Sequence, residues 1–302
     1  MADGIKIGNL DISAFKVGSS DCKVYLGDVL LYPNVETRVV ATFNVTDTSD
    51  PTKIGYNNYT SGFSEIEIDG VAQPSVVSAY TFSTTGEHTV KYTLTDPTSI
   101  GYSAFRECTN LTSIVIPNNV TNLVSYTFRD CKNLTSVTIS DSVTNIGEDA
   151  FNGCSGLTSI DIPSGVTSIG SGAFESCKGL TSIGIPSGVT SIGSAVFYLC
   201  SSLRSIIIPD SITEIQMNTC YACSSLTSCT IGSGVTSIGF MAFASCNSLA
   251  GITCLAVTPP SLDTNVFFST NNCPIYVPSG SVNAYKAASS WSSYTSRIQA
   301  IP

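Results

Sequence analysis

The chain has 302 residues, of which 42% are hydrophobic, 9% aromatic and only 12% charged, the composition of a folded protein rather than of a disordered acidic tail. Its 13 Lys and Arg stand against 22 Asp and Glu, a net charge of −9, so nucleic-acid binding through clustered phosphate contacts is not expected and an anionic membrane surface repels the chain. No apolar run approaches the roughly 18–20 residues that span a bilayer, which argues against membrane insertion, and Met1-Ala2-Asp3-Gly4-Ile5-Lys6 lacks the basic start and apolar stretch of a secretory signal peptide.

Four regions follow in chain order. Residues 1–36 form a leader in which 23–32 reads as a β-hairpin with Gly27-Asp28 as its two-residue turn. Residues 37–96 carry strand-like runs at 39–45, 63–69, 76–83 and 88–95, punctuated by Gly70 and Gly86; short strands at this spacing predict a small antiparallel β-sandwich. His88, the only histidine, falls in the last run, where a solvent-facing strand position is expected.

Residues 97–255 repeat with a step of 23. Ile100, Leu123, Ile146, Ile169, Ile192, Ile215 and Ile238 keep it, as do the cysteines from Cys108 to Cys246 and the leucines from Leu111 to Leu249. The aromatic column runs Phe105, Phe128, Phe151, Phe174, Phe197, then Cys220, then Phe243. A unit reads I-G-x-x-A-F-x-x-C-x-x-L-T-S-I-x-I-P-x-x-V-T-x. Such a period predicts a solenoid whose coils bury their apolar edges against each other. L-x-x-I-x-I is the strand, prolines such as Pro163, Pro186 and Pro209 end it, and A-F-x-x-C suggests a helical or 3-10 turn opposite. In the sixth unit Tyr221 or Met217 is expected to refill the volume that Cys220 leaves open, the alternative being a local irregularity that shapes a ligand site. Residues 256–302, with Tyr285, Trp291 and Tyr294, are suited to cap an otherwise open end.

The repeat, together with 273–281 (CPIYVPSGS) and its trailing aromatics, resembles the BspA-like branch of leucine-rich repeats, found in surface proteins of anaerobic gut and oral bacteria and of some protists, over about residues 98–302. That resemblance implies a mostly β leucine-rich-repeat solenoid and a role in adhesion to host proteins or other microbes. Residues 80–92 are similar to the last two strands of a bacterial Ig-like module. The leader is similar to leader modules in structural proteins of phages infecting gut bacteria, which would make residues 1–36 a virion or envelope anchor.

Chemistry is sparse. The seven repeat cysteines should stack as a ladder of free, buried thiols, because parallel side chains about 4.8 Å apart exceed the disulfide range, and a straight ladder cannot converge four ligands on zinc. Cys22 and Cys273 lie outside it and are expected to be unpaired. Glu148-Asp149 and Asp210 with Glu214 are not placed as a catalytic pair, Asn110, Asn119 and Asn133 head sequons that follow from repeat composition, and no phosphate cradle is present. No catalytic residue, cofactor or metal is expected. Outward slots vary instead, and Tyr198, Tyr221, Arg204 and Ile207 occupy adjacent coils as a candidate ligand patch. The expected role is non-enzymatic recognition of a protein or glycan on a host or microbial surface, located extracellularly or at the cell surface. The alternatives are a tail-associated virion protein and a hydrolase with an unrecognised site.

Overall fold

The computed structural model describes residues 37–56 and 60–302, together with leader strands at Lys6–Ile7, Leu10–Asp11, Phe15–Val17, Val24–Leu26 and Val29–Leu30. Val24–Leu26 pairs antiparallel with Val29–Leu30, with Leu26 opposite Val29; the turn residues between them lie outside the described residues.

From Ser99 onward each coil of the solenoid contributes two strands. The first is a dipeptide, from Ser99–Ile100 through Asn145–Ile146 and Glu214–Ile215 to Ser261–Leu262. The second follows the leucine, from Leu111–Val115 through Ser205–Ile208 to Gly251–Cys254, and two further parallel strands, Ile275–Val277 and Ile298–Ala300, extend that face into the C-terminal region. Nine strands on this face make about nine turns. Partners differ by 23 in number, as in Ile146 with Ile169 and Ile206 with Cys229, and by 24 at the last dipeptide, Ile238 with Leu262. The prolines after the strands turn the chain: Val166 N–H donates to Pro163 C=O at 3.1 Å.

The A-F-x-x-C segment is not helical. Each coil places two residues in the left-handed region, for example Ser103 and Glu107, Tyr126 and Asp130, Asn218 and Ala222, and each such non-glycine residue costs about 1–2 kcal/mol. Left-handed residues interrupt helical bonding, so the turn N–H groups divide their partners. Arg106 N–H reaches Ser103 C=O within the coil at 3.0 Å, while Phe105 and Glu107 N–H reach Thr127 and Arg129 C=O of the next at 2.9 and 2.7 Å. The turn side is therefore a third ladder between coils, and that pairing holds the strained backbone in place. Glycine after the isoleucine has a steric reason, since a Cβ on Gly170 would lie 2.5 Å from the backbone nitrogen of Glu148.

Two columns fill the interior. Phe105, Phe128, Phe151, Phe174 and Phe197 stack with centroids 5.6, 5.2, 5.4 and 5.9 Å apart and near-parallel planes. Beside them the thiols from Cys131 to Cys223 on the repeat step donate to the carbonyl of the phenylalanine one coil back, as in Cys131 Sγ to Phe105 O at 3.0 Å and Cys200 Sγ to Phe174 O at 3.0 Å. The slot thus suits a small apolar side chain that also donates a weak hydrogen bond. All eleven described cysteines are free and buried; Cys22 lies outside the described residues. Burial pushes the Cys108 and Cys177 thiols up to about 12.

The N-terminal region is continuous with this array. One sheet runs, in order, Ser136–Thr138, Leu111–Val115, Val39–Val45, Gly86–Leu94, Phe63–Ile68, Val71–Ala72. Val39–Val45 pairs antiparallel with Gly86–Leu94 on one side and with the first long solenoid strand on the other, Ala41 opposite Ile114. Asp69 and Gly70, at φ 48° and 81°, form the two-residue turn of the 63–72 hairpin, as a primed turn requires. Of the expected sandwich the antiparallel sheet is present. The layer over it contains a short pair, Thr52–Lys53 with Ala79–Tyr80, tied down by Tyr92 Oη donating to Ile54 O at 2.6 Å. The run expected at 76–83 is a strand only at Ala79–Tyr80, because Phe82 turns inward to pack on His88, with ring centroids 4.2 Å apart.

His88 itself is buried, not solvent-facing. Its Nδ1 lies 2.7 Å from Asp69 Oδ2 and its Nε2 lies 2.9 Å from Thr84 O. Burial opposes its protonation, but the bonds to Asp69 and Thr84 and the Asp69 charge outweigh that, so its pKa is raised above the usual histidine value.

Two outcomes follow from the columns. Phe151→Ala should lower the unfolding free energy by about 3–5 kcal/mol, read from urea denaturation; a loss below 1 kcal/mol, roughly the effect of a surface change, would deny the ring column its role. The eleven buried thiols should resist alkylation by iodoacetamide in the native protein at mildly alkaline pH and react once it is unfolded, and native labelling at Cys131 or Cys154 on peptide mapping would contradict the ladder.

Candidate functional site

Because most interior slots repeat from coil to coil, variation is concentrated in the outward slots. On the turn side, the position after the core aromatic slot runs Arg106, Arg129, Asn152, Glu175, Tyr198, Tyr221, Ala244 and, one coil on, Phe268. Its first half is polar and pairs in part with its neighbours, while Arg106 Nε and Arg129 Nε are buried without a hydrogen-bond partner. The Arg106 and Arg129 guanidinium groups lie over the rings of Tyr56 and Tyr126, at 5.2 and 5.4 Å. Arg129 Nη1 also pairs with Asp149 Oδ2 at 2.9 Å, and Asn152 Nδ2 donates to Asp149 Oδ1 at 3.0 Å. Burial and then the Asp149 charge raise the Glu175 pKa, with Arg129 opposing.

The second half is aromatic. Tyr198 and Tyr221 stack with centroids 5.1 Å apart and planes 10° from parallel, both half-buried. Met217 beside them is 48% exposed and Phe268 is 59% exposed. The chain therefore leaves large apolar groups on the surface of the coils that follow the charged network.

The strand face is different in kind. Threonine hydroxyls donate to the carbonyl one coil back, Thr135 to Thr112 and Thr181 to Thr158, both at 3.1 Å. Arg204 interrupts this column. Its N–H keeps the ladder bond to Thr181 O at 3.2 Å and its carbonyl accepts from Thr227 Oγ1 at 2.9 Å, while its side chain is exposed. Ile207 lies between the buried Ile206 and Ile208 and is 64% exposed, opposite Thr230 in the next strand. The four sequence-selected residues thus fall into two pairs, a ring-stacked pair on the turn side and an exposed pair on the strand face of the same coils.

The irregular coil differs from its expectation. Neither Tyr221 nor Met217 refills the phenylalanine slot, because Tyr221 stacks outward on Tyr198 and Met217 is half-exposed. Cys220 is buried there, and its carbonyl accepts the Cys246 thiol at 3.1 Å. The ring column resumes at Phe243 and Phe267, 5.9 Å apart. Strand pairing on the first face also divides here, into one ladder ending at Ser191–Ile192 and another beginning at Glu214–Ile215.

The remaining candidate groups serve structure. Glu148 accepts from Tyr126 Oη at 3.3 Å, and Asp210 accepts from Ser233 N–H at 2.6 Å. Among the described residues no group of three His, Cys, Asp or Glu side chains is placed to hold a metal ion, and no helix is long and apolar enough to cross a membrane. Sequence reasoning missed a cleft of about 1080 Å³ at the C-terminal end, between the last turn and the segment Ser289–Arg297. The signal for it is a change of residue type at unchanged spacing: Thr270 stands three residues after Phe267 where Cys246 follows Phe243, and Cys273 stands six after it where Leu249 does.

A family model described as the BspA type leucine rich repeat region matches the chain in six copies, over residues 75–203 and 167–295. No curated protein matches it. Among solved structures, the chain is similar to a leucine rich repeat protein of T. pallidum, with 27% identity over 53% of this chain and 80% of that one and a TM-score of 0.47. It is also similar to a leucine-rich repeat protein from Eubacterium ventriosum, with 25% identity over 57% of this chain and 41% of that one and a TM-score of 0.37. A leucine rich cell surface protein from Faecalibacterium prausnitzii is 21% identical over 63% of this chain and 78% of that one, with a TM-score of 0.24.

Proposed function

The chain belongs to the BspA-type leucine-rich-repeat family, and from that premise we propose that it is a non-enzymatic binding protein that recognises a protein or glycan through the outward columns of its solenoid. The observation that carries this reading is the placement of large apolar side chains on the surface of a scaffold that buries them everywhere its repeat allows. Tyr198 and Tyr221 form an outward ring stack, and Ile207 projects from the strand face at 64% exposure. An outward aromatic stack on one face, and an exposed aliphatic group sharing the other with an arginine, here Ile207 with Arg204, are common anchors of recognition surfaces. The hydrogen-bonded strand and turn ladders beneath them are rigid, so little ordering opposes binding.

The chemistry of the described residues favours binding over catalysis. The single histidine is engaged with Asp69 and Thr84, and the thiols are buried with raised pKa values, the reverse of an activated nucleophile. On this reading the protein works at a cell surface or outside the cell, with residues 1–36 as its anchor. Tyr198→Ala with Tyr221→Ala, and separately Arg204→Ala with Ile207→Ala, should each weaken binding of the full chain to a panel of host surface proteins and glycans by about tenfold, or about 1.4 kcal/mol, in biolayer interferometry. Unchanged affinity in both double variants would remove the solenoid faces from the function.

A further inference from the structure

We propose that the cleft at the C-terminal end is a second binding site, built to take a short neutral oligosaccharide. It goes beyond the reading of the solenoid faces and stands independently of it.

The cleft is made by a departure from the repeat. In the last turn Thr270 stands in the cysteine slot and Cys273 in the leucine slot, so that Cys273 N–H donates to Thr270 O at 3.3 Å as Leu249 N–H does to Cys246 O at 3.2 Å. Besides the two ordinary left-handed positions at Asn265 and Ser269, this turn holds two more, Asn271 and Asn272, at φ 56° and 50°. Asparagine tolerates that conformation better than most side chains. This turn forms one wall and the segment Ser289–Arg297 the other.

The two walls are tied together from beneath. Arg297 is buried, and its Nε donates to Cys273 O at 2.8 Å while Nη2 donates to Thr270 Oγ1 at 2.9 Å. Its guanidinium also lies 5.5 Å from the Tyr294 ring centre and 6.0 Å from that of Phe267. Tyr294 meets Phe267 edge-on at 5.3 Å. The cleft is therefore preformed, and the one cation lining it is committed to holding its walls.

The lining specifies the ligand class. Phe268 is 59% exposed and supplies an aromatic face, and such a face packs against the C–H side of a sugar ring. Asn265, Asn272 and Gln299, with serines of the 289–296 segment, supply groups that both donate and accept hydrogen bonds, as a polyol needs. Asp263 is an exposed acceptor whose Oδ1 already takes the Thr264 N–H at 2.6 Å. Its charge opposes phosphate, sulfate and carboxylate ligands, and no uncommitted Lys or Arg lines the cleft to offset it. An apolar peptide would find one exposed aromatic ring among amides and hydroxyls. The volume, about 1080 Å³, is at the upper end of the range of about 300–1,000 Å³ usual for ligand sites, which suits several linked rings over one.

The test is a glycan array carrying uncharged hexose and N-acetylhexosamine oligosaccharides beside sulfated and sialylated ones, probed with the labelled full chain. Variants Phe268→Ala and Asp263→Ala are compared with Tyr198→Ala and Ile207→Ala, and thermal unfolding confirms that all four fold. The proposal expects binding to at least one neutral oligosaccharide, weakened about tenfold by Phe268→Ala and by Asp263→Ala. No binding to any neutral glycan, binding to charged glycans alone, or neutral binding that survives both cleft variants would overturn it. If Tyr198→Ala or Ile207→Ala abolishes neutral binding while the cleft variants keep it, the cleft site falls and the solenoid-face reading stands.

Discussion

A step of 23 residues, repeated without slippage, places each side chain over its own counterpart in the next coil. Every column is therefore selected for contact with itself. Phenylalanine satisfies that demand by ring stacking at 5.2–5.9 Å in its uninterrupted run. Cysteine does so by giving its thiol to the carbonyl of the phenylalanine behind it, and threonine by closing on the carbonyl of the previous coil. The left-handed turn residues, unfavourable in isolation, persist because each lies between N–H and C=O groups already paired to the next coil. One geometric rule thus fixes strands, turns and most of the core together, and concentrates variation in the outward slots.

A stack of this kind has two ends, each of which would expose apolar edges and unpaired backbone. At the N-terminal end the strand Val39–Val45 pairs antiparallel with Leu111–Val115, so the preceding sheet closes the second face of the solenoid. Its core joins the ring column through Phe63 and Tyr92, which meet Phe105 at 5.5 and 5.1 Å. At the other end the column passes from Phe267 to Trp291 at 6.0 Å and on to Tyr285 at 4.8 Å, over the last parallel strand, Ile298–Ala300. Tyr285 Oη and Trp291 Nε1 donate to the carbonyls of Ala256 and Pro260, at 2.7 and 2.8 Å. Both ends are thus sealed by aromatic packing and backbone pairing, and the C-terminal seal is where the period breaks and a cleft opens.

The solenoid was legible because its signal is repeated, and a spacing seen in every coil outweighs any single ambiguous residue. The turn segment was misjudged because A-F-x-x-C has the apolar spacing of a helical turn, and residues such as Tyr126, Ala195 and Met241 give no local hint of a left-handed backbone. That conformation is imposed by pairing between coils, which no single unit reveals. His88 was misplaced for a similar reason, since its partner Asp69 lies across the sheet and Phe82 turns in only once the chain has folded. The outward position of Tyr198 and Tyr221 could be read from their slot, but their mutual stacking, and the failure of Tyr221 to fill the space beside Cys220, depend on packing between coils.

Shared columns and the continuous sheet should make the N-terminal sheet and the solenoid unfold as one cooperative unit. Native-state hydrogen exchange tests it most directly, because it assigns an opening free energy to each segment. The account predicts that amides of Val39–Val45 open with the same free energy as those of Leu111–Val115, and that Phe105→Ala lowers both together. Exchange of residues 37–96 as a separate, weaker unit, with Leu111–Val115 protection unchanged, would contradict it.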